Sequence, residues 1–360
     1  MAILPQEDIP NSFNRELADD CRDPGQFKQL AGFGTPYRSQ VLPVPRAVEK
    51  AWGLALCSQQ VYFSGNTEPV SPMNKLTQTQ RHDFQSNGFL HLEGLLGPQE
   101  VDHSAEQLSR IRSLPGFEPD RDPQFPIGHY STLEHARDLN PEGFMDRREL
   151  LQYGPSFINL VDRQPGFDYL VDLMGPNIML SMTQAIVRPS TDKFPGYIHT
   201  DGGESLRLTR VAADAQPIAV KIMYILTDSL TEQSGSLTVF PGSHVSQIPF
   251  EGKRAITPNS EGAVALKLKA GDAVMFTHSL WHGPAQNLSG TSRKIILYNY
   301  CQLWVRSYDS PVSGAILEKC TPRQRRLCGD LGYDFRPGSY FYVPKDQAQV
   351  ISNNLPNRVS

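Results

Sequence analysis

The stretch that decides the fold is NIMLSMTQAIVR, residues 177–188, where the spacing of apolar side chains changes from a helical period to a period of two. Six further segments of this kind follow, separated by clusters of Gly, Pro, Asp and Asn. The candidate strands are 178–188, 197–201, 219–226, 236–240, 263–268, 273–279 and 294–303. Short strands without helices between them predict a mainly β domain, an antiparallel double sheet of sandwich or jelly-roll type.

Helical patterns are concentrated upstream of these strands. Residues 77–86 predict a short helix that ends at Gly88, and a longer amphipathic helix begins at Pro98. Residues 165–174 form another amphipathic segment. We expect these helices to buttress one sheet. Residues 113–155 are rich in Pro, Asp and Arg, and they predict a long loop, either a lid or a surface insertion.

The regular pattern defines a core domain at residues 77–305. Residues 1–76 are rich in Pro, Gly, Gln and Asn, and we expect them to form an extension packed on this core. Residues 306–360 form a C-terminal extension, in which little periodicity is visible. The chain is therefore predicted to be one enlarged domain with two extensions.

Charge and cysteine content exclude several classes of protein. The formal net charge of -4 gives no global electrostatic reason to expect nucleic acid or an anionic membrane as a partner. The five cysteines are an odd number without C-x-x-C spacing, which argues against a disulfide framework and a structural zinc site. Neither a signal-peptide pattern nor an apolar run of ~20 residues is visible. We expect a cytoplasmic protein, and the oligomeric state stays open.

A first pair of metal-ligand candidates is His199 and Asp201, at the end of the segment PGYIHTD, residues 195–201. In extended backbone their side chains project to the same side, so both can reach one metal ion while Thr200 points away. Two such residues are part of the 2-His-1-carboxylate facial triad of non-haem Fe(II) oxygenases. A His-x-Asp tripeptide alone is also compatible with a solvated surface turn.

A third candidate ligand lies in GDAVMFTHSLWHGP, residues 271–284. His278 and His282 share parity along an extended strand, so alternation alone does not choose between them. His282 precedes Gly283-Pro284, at a strand end that a ligand can approach. We therefore expect His282 to bind metal and His278 to be a buried histidine with protein hydrogen-bond partners.

Arg293 follows eleven residues after His282, at the start of the last strand. If strands 273–282 and 294–303 are neighbours, joined by the turn at residues 287–290, Arg293 returns to the strand end that carries His282. The planar guanidinium group can hold the distal carboxylate of a dicarboxylate while the other end of that molecule chelates the metal. The alternative is a surface arginine on an edge strand.

These residues together resemble the phytanoyl-CoA dioxygenase family of Fe(II)/2-oxoglutarate-dependent oxygenases. The resemblance rests on the helix and strand of residues 77–92, on His199-x-Asp201, on GSLTVFPGSH at residues 235–244, and on His282 followed at eleven residues by Arg293. It implies a double-stranded β-helix of the cupin-like type. It also implies that His199, Asp201 and His282 bind Fe(II), that Arg293 anchors 2-oxoglutarate, and that O2 is the oxidant.

The chain departs from this family at two positions. Members often carry a Ser or Thr near the position of Leu237 or Pro284 that helps to hold the cosubstrate, and neither residue here has a hydroxyl group. Either some other group assists Arg293 or the arginine acts with water, and Gln184 is our candidate for such a group if strand alternation makes it face the same strand end. His244, in the Pro-Gly-Ser-His turn, is expected to be structural.

The resemblance implies a dioxygenase that hydroxylates or otherwise oxidises an unactivated C–H bond of a small organic molecule, such as a metabolite or natural-product intermediate, with release of succinate and CO2. Candidate substrate residues are the strand residues Tyr197, Trp281, Arg188, Tyr224 and Tyr298 and, in the long loop, His135 with His129. Strand aromatics more often belong to a core. Two alternatives remain open, a cupin-like metal- or ligand-binding protein without oxygenase activity and an oxygenase that acts on a protein side chain.

Overall fold

A computed structural model describes residues 74–112, 144–194, 196–202, 208–246, 256–309 and 311–331, all within the compact unit Glu68–Ser360. The predicted N-terminal extension up to residue 73 lies outside these ranges, as do His129 and His135. Within the described ranges no helix is both long and apolar enough to cross a bilayer. The domain boundaries that we predicted from the sequence stay predictions.

A six-stranded antiparallel sheet forms one wall of the domain, in the order β1-β7-β4-β9-β3-β2. Its strands are β1 (Phe89–Leu92), β2 (Met145–Arg148), β3 (Ile178–Arg188), β4 (Ala219–Ile225), β7 (Ala273–Thr277) and β9 (Arg293–Gln302). The four central strands are rich in β-branched and aromatic residues and are buried on both faces, which explains why their sequences are apolar almost throughout.

A three-stranded antiparallel sheet forms the opposite wall, in the order β6-β5-β8. Its strands are β5 (Leu237–Val239), β6 (Val264–Ala265) and β8 (His282–Pro284). An isolated bridge between His199 and His282 adds the segment around His199 to this sheet. Between the walls lies one apolar cluster, made of Met223, Ile225, Leu237, Val239, Leu268, Val274, Phe276, Leu280, Ile295 and Leu297. The predicted double-stranded β-helix, or jelly roll, is confirmed.

Helices cover the outer face of the large sheet, as the sequence predicted. They are α1 (Gln78–Asn87), α2 (Pro98–Arg112), α3 (Pro155–Ile158), α4 (Gly166–Met174), α5 (Gly314–Leu317) and α6 (Pro322–Leu327). In α1, Thr77 and Gln80 form a capping box, and Gly88 ends the helix with a φ of 83°. Apolar side chains such as Phe84, Leu108 and Leu170 join the large sheet in a second cluster, which holds the helical layer on this wall.

Two sequence predictions about chain connections are wrong. The segment 113–155, predicted as a loop, contains β2 and a 3-10 helix at Leu150–Tyr153 in its described part. The segments 273–282 and 294–303, which the placement of Arg293 near His282 assumed to be neighbouring strands, lie apart: β7 pairs with β1 and β4, while His282 begins β8 in the small sheet. The chain turns after Thr277, whose carbonyl accepts from the Leu280 N–H at 3.2 Å, and crosses between the sheets.

Candidate metal centre

Two extended segments meet where the candidate ligands lie. The backbone N–H of His199 donates to the carbonyl oxygen of His282, and the N–H of His282 donates back, each at 2.8 Å. The next contact along the chain is the N–H of Asp201, which donates to the carbonyl of His278 at 2.9 Å. Because the two histidines are direct cross-strand partners, their side chains emerge side by side, with ring centroids 4.5 Å apart.

The side chains of His199, Asp201 and His282 form a compact group of three donors. One ligand atom from each lies within 4.8 Å of the others. The Oδ1 atom of Asp201 is 3.9 Å from the Nε2 atom of each histidine. Two imidazole nitrogens and one carboxylate oxygen on one side of a site are the donor set that non-haem Fe(II) takes. The residues present therefore fit the metal that the sequence resemblance implies.

The environment of His282 prepares its Nε2 atom to bind a metal. Its Nδ1 atom lies 2.9 Å from the carbonyl oxygen of Leu280, so the ring carries its proton on Nδ1 and leaves the Nε2 lone pair directed at Asp201. The Phe276 ring, 4.5 Å away between centroids, packs against the imidazole. Burial lowers the pKa of His282, and the charge of Lys221 lowers it further, which favours the neutral form that a metal needs.

Lys221, a residue that the sequence reading missed, ion-pairs with the carboxylate of the group. Its Nζ atom donates to Asp201 Oδ1 at 2.7 Å. Burial alone would raise the pKa of Asp201, but the charges of Lys221 and the two histidines bring it well below its ordinary value, so the carboxylate is ionised. The signal in the sequence was a lysine in the middle of β4, AVKIMYI, whose seven residues are all buried.

Close backbone approach at Gly283 holds the two segments together. A Cβ atom on this residue would overlap the carbonyl oxygen of Tyr197. The Tyr197 ring lies 5.2 Å from the His199 ring between centroids, and this tyrosine is 50% exposed. We call this exposed edge of the metal-ligand group the mouth of the site, and a substrate role for Tyr197 stays a prediction.

Arg293 points into the space between the sheets from the first residue of β9. It is 4% exposed, and its Nη2 atom lies 3.5 Å from the sulfur of Met223, a neighbour of Lys221 on the same face of β4. Its side chain runs past Gly235, where an added Cβ would lie 3.1 Å from Arg293 Cδ. Burial lowers the pKa of Arg293 to about 9.

Two other predicted residues share this inner face on β3. Gln184 pairs in register with Leu297, and its Nε2 atom donates to the carboxylate of Asp146 at 2.7 and 2.9 Å. Arg188 pairs directly with Arg293, and it is also buried. Strand alternation thus makes both residues face the site side of the sheet. A role for Gln184 in holding the cosubstrate stays a prediction.

The prediction that Tyr224 and Tyr298 line the substrate pocket is wrong. Both side chains are fully buried on the opposite face of the large sheet, under the helices, with ring centroids 5.9 Å apart. The Tyr298 hydroxyl donates to the carbonyl of Phe157 at 2.6 Å, and that of Tyr224 to the carbonyl of Leu160 at 3.4 Å. The alternation of β4 and β9 directs these residues away from the face that carries Lys221 and Arg293.

The contacts of two further histidines and of one tryptophan show where these site candidates lie. His278 is buried, with Nε2 at 3.0 Å from the Thr209 carbonyl, and His244 contacts the Gln85 carbonyl at 3.1 Å, so both have protein partners and stand outside the group of three donors. Trp281 is buried next to His282, and its backbone N–H donates to the Ser243 hydroxyl. A substrate role for Trp281 stays a prediction, while His135 lies outside the described residues.

One known protein family matches the part of the chain that forms most of the described fold. The family model described as phytanoyl-CoA dioxygenase (PhyH) matches residues 84–295, more than half of the chain. Dioxygenase cdmA of Talaromyces verruculosus is 24% identical over 177 residues, which cover 45% of this chain and 59% of that protein. Dioxygenase trt7 of Aspergillus terreus (strain NIH 2624 / FGSC A1156) is 22% identical over 260 residues, which cover 68% of this chain and 81% of that protein. The chain thus spans less than two thirds of the length of cdmA.

Solved structures share the fold. HygX from Streptomyces hygroscopicus with nickel and 2-oxoglutarate bound superposes with a TM-score of 0.52 at 20% identity, covering 66% of this chain and 91% of HygX. A second HygX structure, with nickel, 2-oxoglutarate and hygromycin B bound, gives a TM-score of 0.51 at 20% identity, covering 65% and 90%. At this level of identity the likeness concerns the fold alone.

Proposed function

Because the chain belongs to the phytanoyl-CoA dioxygenase family of non-haem Fe(II)/2-oxoglutarate-dependent oxygenases, we propose that it oxidises an unactivated C–H bond of a small organic molecule, with hydroxylation as the outcome. The observation that carries this proposal is the group of His199, Asp201 and His282, with ligand atoms within 4.8 Å of one another beside the mouth at Tyr197. When bound, iron and 2-oxoglutarate supply the oxidising chemistry, with release of succinate and CO2.

In this proposal each side chain of the site has a defined task. His199, Asp201 and His282 would hold the metal through two imidazole nitrogens and one carboxylate oxygen. Arg293 anchors the distal carboxylate of 2-oxoglutarate through its planar guanidinium group. Phe276 packs against His282 and keeps water from that side of the metal ligands. Lys221 holds the carboxylate of Asp201 in place.

The substrate class follows from the position of the mouth and from the relatives. The half-exposed ring of Tyr197 next to His199 leaves room for a molecule that enters from solvent. HygX has been crystallised with hygromycin B, a small organic molecule, and cdmA and trt7 are named dioxygenases. These likenesses support a metabolite or natural-product intermediate as the substrate, rather than a protein side chain.

Anaerobic spectroscopy tests the proposal. Addition of Fe(II) and 2-oxoglutarate to the protein should give a weak visible metal-to-ligand charge-transfer band, and His199→Ala should lose both the band and metal binding while its circular dichroism spectrum is kept. His103→Ala, which changes an exposed histidine of α2, should behave as wild type. Absence of the band, together with no calorimetric binding of 2-oxoglutarate, would overturn the assignment.

Turnover then separates the remaining alternatives. Oxygen-dependent succinate formation that disappears in His199→Ala excludes a cupin-like binding protein without oxygenase activity. A screen in which one small metabolite stimulates succinate formation supports a small-molecule substrate. Stimulation by peptides alone would instead assign the reaction to a protein side chain.

A further inference from the structure

Two arginines face each other across strands β3 and β9. Arg188, the last residue of β3, pairs in register with Arg293, the first residue of β9. Directly opposed residues of antiparallel strands project from the same face, so both side chains enter the space between the two sheets. Each is only 4% exposed. Like charges placed directly opposite destabilise a sheet unless an anion compensates them.

No carboxylate in the described part of the chain forms an ion pair with either guanidinium group. The Nε atoms of Arg188 and Arg293 are both buried without a hydrogen-bond partner there. Burial lowers the pKa of Arg188, and the interactions with Tyr197 and the charge of Asp146 oppose this shift only in part. The carboxylate of Asp146 accepts two hydrogen bonds from Gln184. A buried cation without a paired acid is costly, so this arrangement indicates a place for an anionic ligand.

Aromatic residues surround Arg188, and the Tyr197 hydroxyl interacts with part of its N–H edge. Its guanidinium carbon lies 5.3 Å from the ring centroid of Phe144 and 5.7 Å from those of Phe194 and Tyr197. Aromatic rings interact with the flat face of a guanidinium group and do not satisfy its N–H edge. The edge is the part that binds a carboxylate with two parallel hydrogen bonds.

Each arginine is connected to the metal-ligand group through intermediate residues. The Tyr197 ring, which contacts Arg188, also lies 5.2 Å from the His199 ring. Arg293 reaches Met223, a neighbour of the lysine that binds Asp201. Burial and the charge of Arg188 both lower the pKa of Arg293, so an anion between the two groups would stabilise both charged forms.

The small sheet has no side-chain hydrogen-bond donor at the two positions where the family resemblance placed one. Leu237 and Pro284, the positions where a hydroxyl was expected, are cross-strand partners in the small sheet, and both are buried. Their side chains therefore leave a single apolar patch without a donor. The large sheet, in contrast, carries two buried guanidinium groups.

We propose that Arg188 and Arg293 together bind the distal carboxylate of 2-oxoglutarate, so that Arg188 replaces the hydroxyl group absent at Leu237 and Pro284. The proposal rests on the function proposed above. The ligand in either case is a carboxylate bound between two guanidinium groups. In our proposal it belongs to 2-oxoglutarate, and the alternative is a carboxylate of the substrate. Arg188 would in either case be a binding residue that contacts its ligand directly.

Calorimetry on the Ni(II)-loaded full-length protein tests this pairing. Arg188→Met should weaken 2-oxoglutarate binding by about 30-fold, because removing one partner of a buried charge pair costs at least about 2 kcal/mol. The affinity for 2-oxopentanoate, which has a methyl group where 2-oxoglutarate carries its distal carboxylate, should change by less than about twofold, the scatter expected for an uninvolved site. Arg147→Met is the matched control, since Arg147 pairs with Ala185 on the other face of β3. It should bind both ligands as wild type.

The possible results distinguish a failure of the proposed function from a failure of the role proposed for Arg188. If the Ni(II)-loaded wild type does not bind 2-oxoglutarate, the proposed function itself fails. If wild type binds it and Arg188→Met binds it equally well, or loses 2-oxopentanoate to the same extent, only the role of Arg188 is overturned. Unchanged 2-oxoglutarate binding with loss of substrate-stimulated turnover would assign Arg188 to a carboxylate of the substrate. If Arg188→Met does not fold, Arg188→Lys replaces it, because lysine keeps the charge without the planar guanidinium group. Arg188→Lys should lose affinity for 2-oxoglutarate by a smaller factor and should keep its affinity for 2-oxopentanoate. An affinity for 2-oxoglutarate equal to that of wild type would contradict the proposal.

Discussion

Lys221 illustrates how one side chain sets the charge of the site. A lysine in a fully buried strand needs a partner, and here the partner is the carboxylate oxygen that lies closest to both histidines. In the absence of a metal ion, the ammonium group compensates the charge of Asp201 and keeps the carboxylate in place. A bound divalent cation would compensate that charge instead and would be repelled by Lys221.

Removing this ammonium group should make the protein depend on metal. Lys221→Met leaves the buried carboxylate of Asp201 unpaired, so we expect the metal-free variant to lose about 3 kcal/mol of unfolding free energy. Added Ni(II) should raise its melting temperature by more than it raises that of wild type. Differential scanning fluorimetry with and without Ni(II) measures both effects.

The matched control for this experiment is Lys294→Met, because the ammonium group of Lys294 contacts the Ser109 hydroxyl at 3.4 Å near the surface and has no other hydrogen bond or ion pair within the described residues. It should respond to Ni(II) as wild type does. A smaller metal-induced shift in Lys221→Met than in wild type would show that Lys221 supports metal binding rather than competing with it.

Tyr224 belongs to the same strand as Lys221, but its side chain lies on the opposite face of the large sheet and does not reach the site. Tyr224→Phe should leave succinate formation within about twofold of wild type, because the side chain faces the helical layer. It should lower the unfolding free energy by about 1 kcal/mol through loss of the hydrogen bond to Leu160. Urea unfolding and a succinate assay measure the two quantities, and a tenfold loss of turnover would return Tyr224 to the site.

The elements that assemble the metal centre are short and lie in different parts of the chain. β8 contains three residues, and the segment around His199 joins it through a single bridge. Their pairing depends on the absence of a side chain at Gly283, which lets the carbonyl of Tyr197 approach. The geometry of the three ligands therefore depends on backbone contact rather than on a large interface.

Gly283→Ala should break this pairing. The added methyl group would overlap the Tyr197 carbonyl, so the segment that carries His199 must move away from β8. We expect a loss of about 2 kcal/mol in unfolding free energy, as for an overpacked core, and a weakening of Ni(II) binding by about tenfold or more for a loss of about 1.4 kcal/mol. Calorimetry and thermal unfolding test this. Gly314→Ala, where a Cβ meets nothing within 4 Å, should resemble wild type, and an unaffected Ni(II) affinity in Gly283→Ala would contradict the argument.

Over the whole molecule, the C-terminal segment belongs to the same core as the N-terminal helices. The Nε2 atom of Gln324 in α6 donates to the carbonyl of Ile158 at 3.2 Å and to Asp162 at 2.7 Å. Leu327 is 1% exposed and lies in the cluster under the large sheet. The described part of the predicted C-terminal extension therefore closes the helical layer.

Leu327→Ala should consequently destabilise the protein without touching the site. Loss of a fully buried leucine removes about 2–4 kcal/mol of unfolding free energy, whereas Leu208→Ala, at a residue that is 72% exposed, should change it by less than about 0.5 kcal/mol. Chemical denaturation measures these values. The folded Leu327→Ala protein should bind Ni(II) as wild type does, and equal stability of the two variants would show that α6 does not contribute to the core.

Much of this protein follows from local pattern. Alternation of apolar residues from residue 177 onward predicted the β architecture, and the parity of His199 and Asp201 predicted that both side chains face one point. His282 was also chosen from its place before Gly283-Pro284, whereas the strand pairing from which Arg293 was placed near it is not the one in the structure. Each of these predictions depends on the period of a strand or on the spacing of residues, and both can be read from a short stretch of sequence.

Pairing between distant segments was not accessible in the same way. The sequence cannot show that β7 and β9 lie apart, that Lys221 meets Asp201, that Arg188 is opposite Arg293, or that Tyr224 faces the helices. A one-residue change of register reverses the face of every side chain in a strand. Local pattern therefore identifies the metal-ligand candidates and the strands that carry them, whereas packing of the two sheets and the helical layer selects the charged groups that surround them.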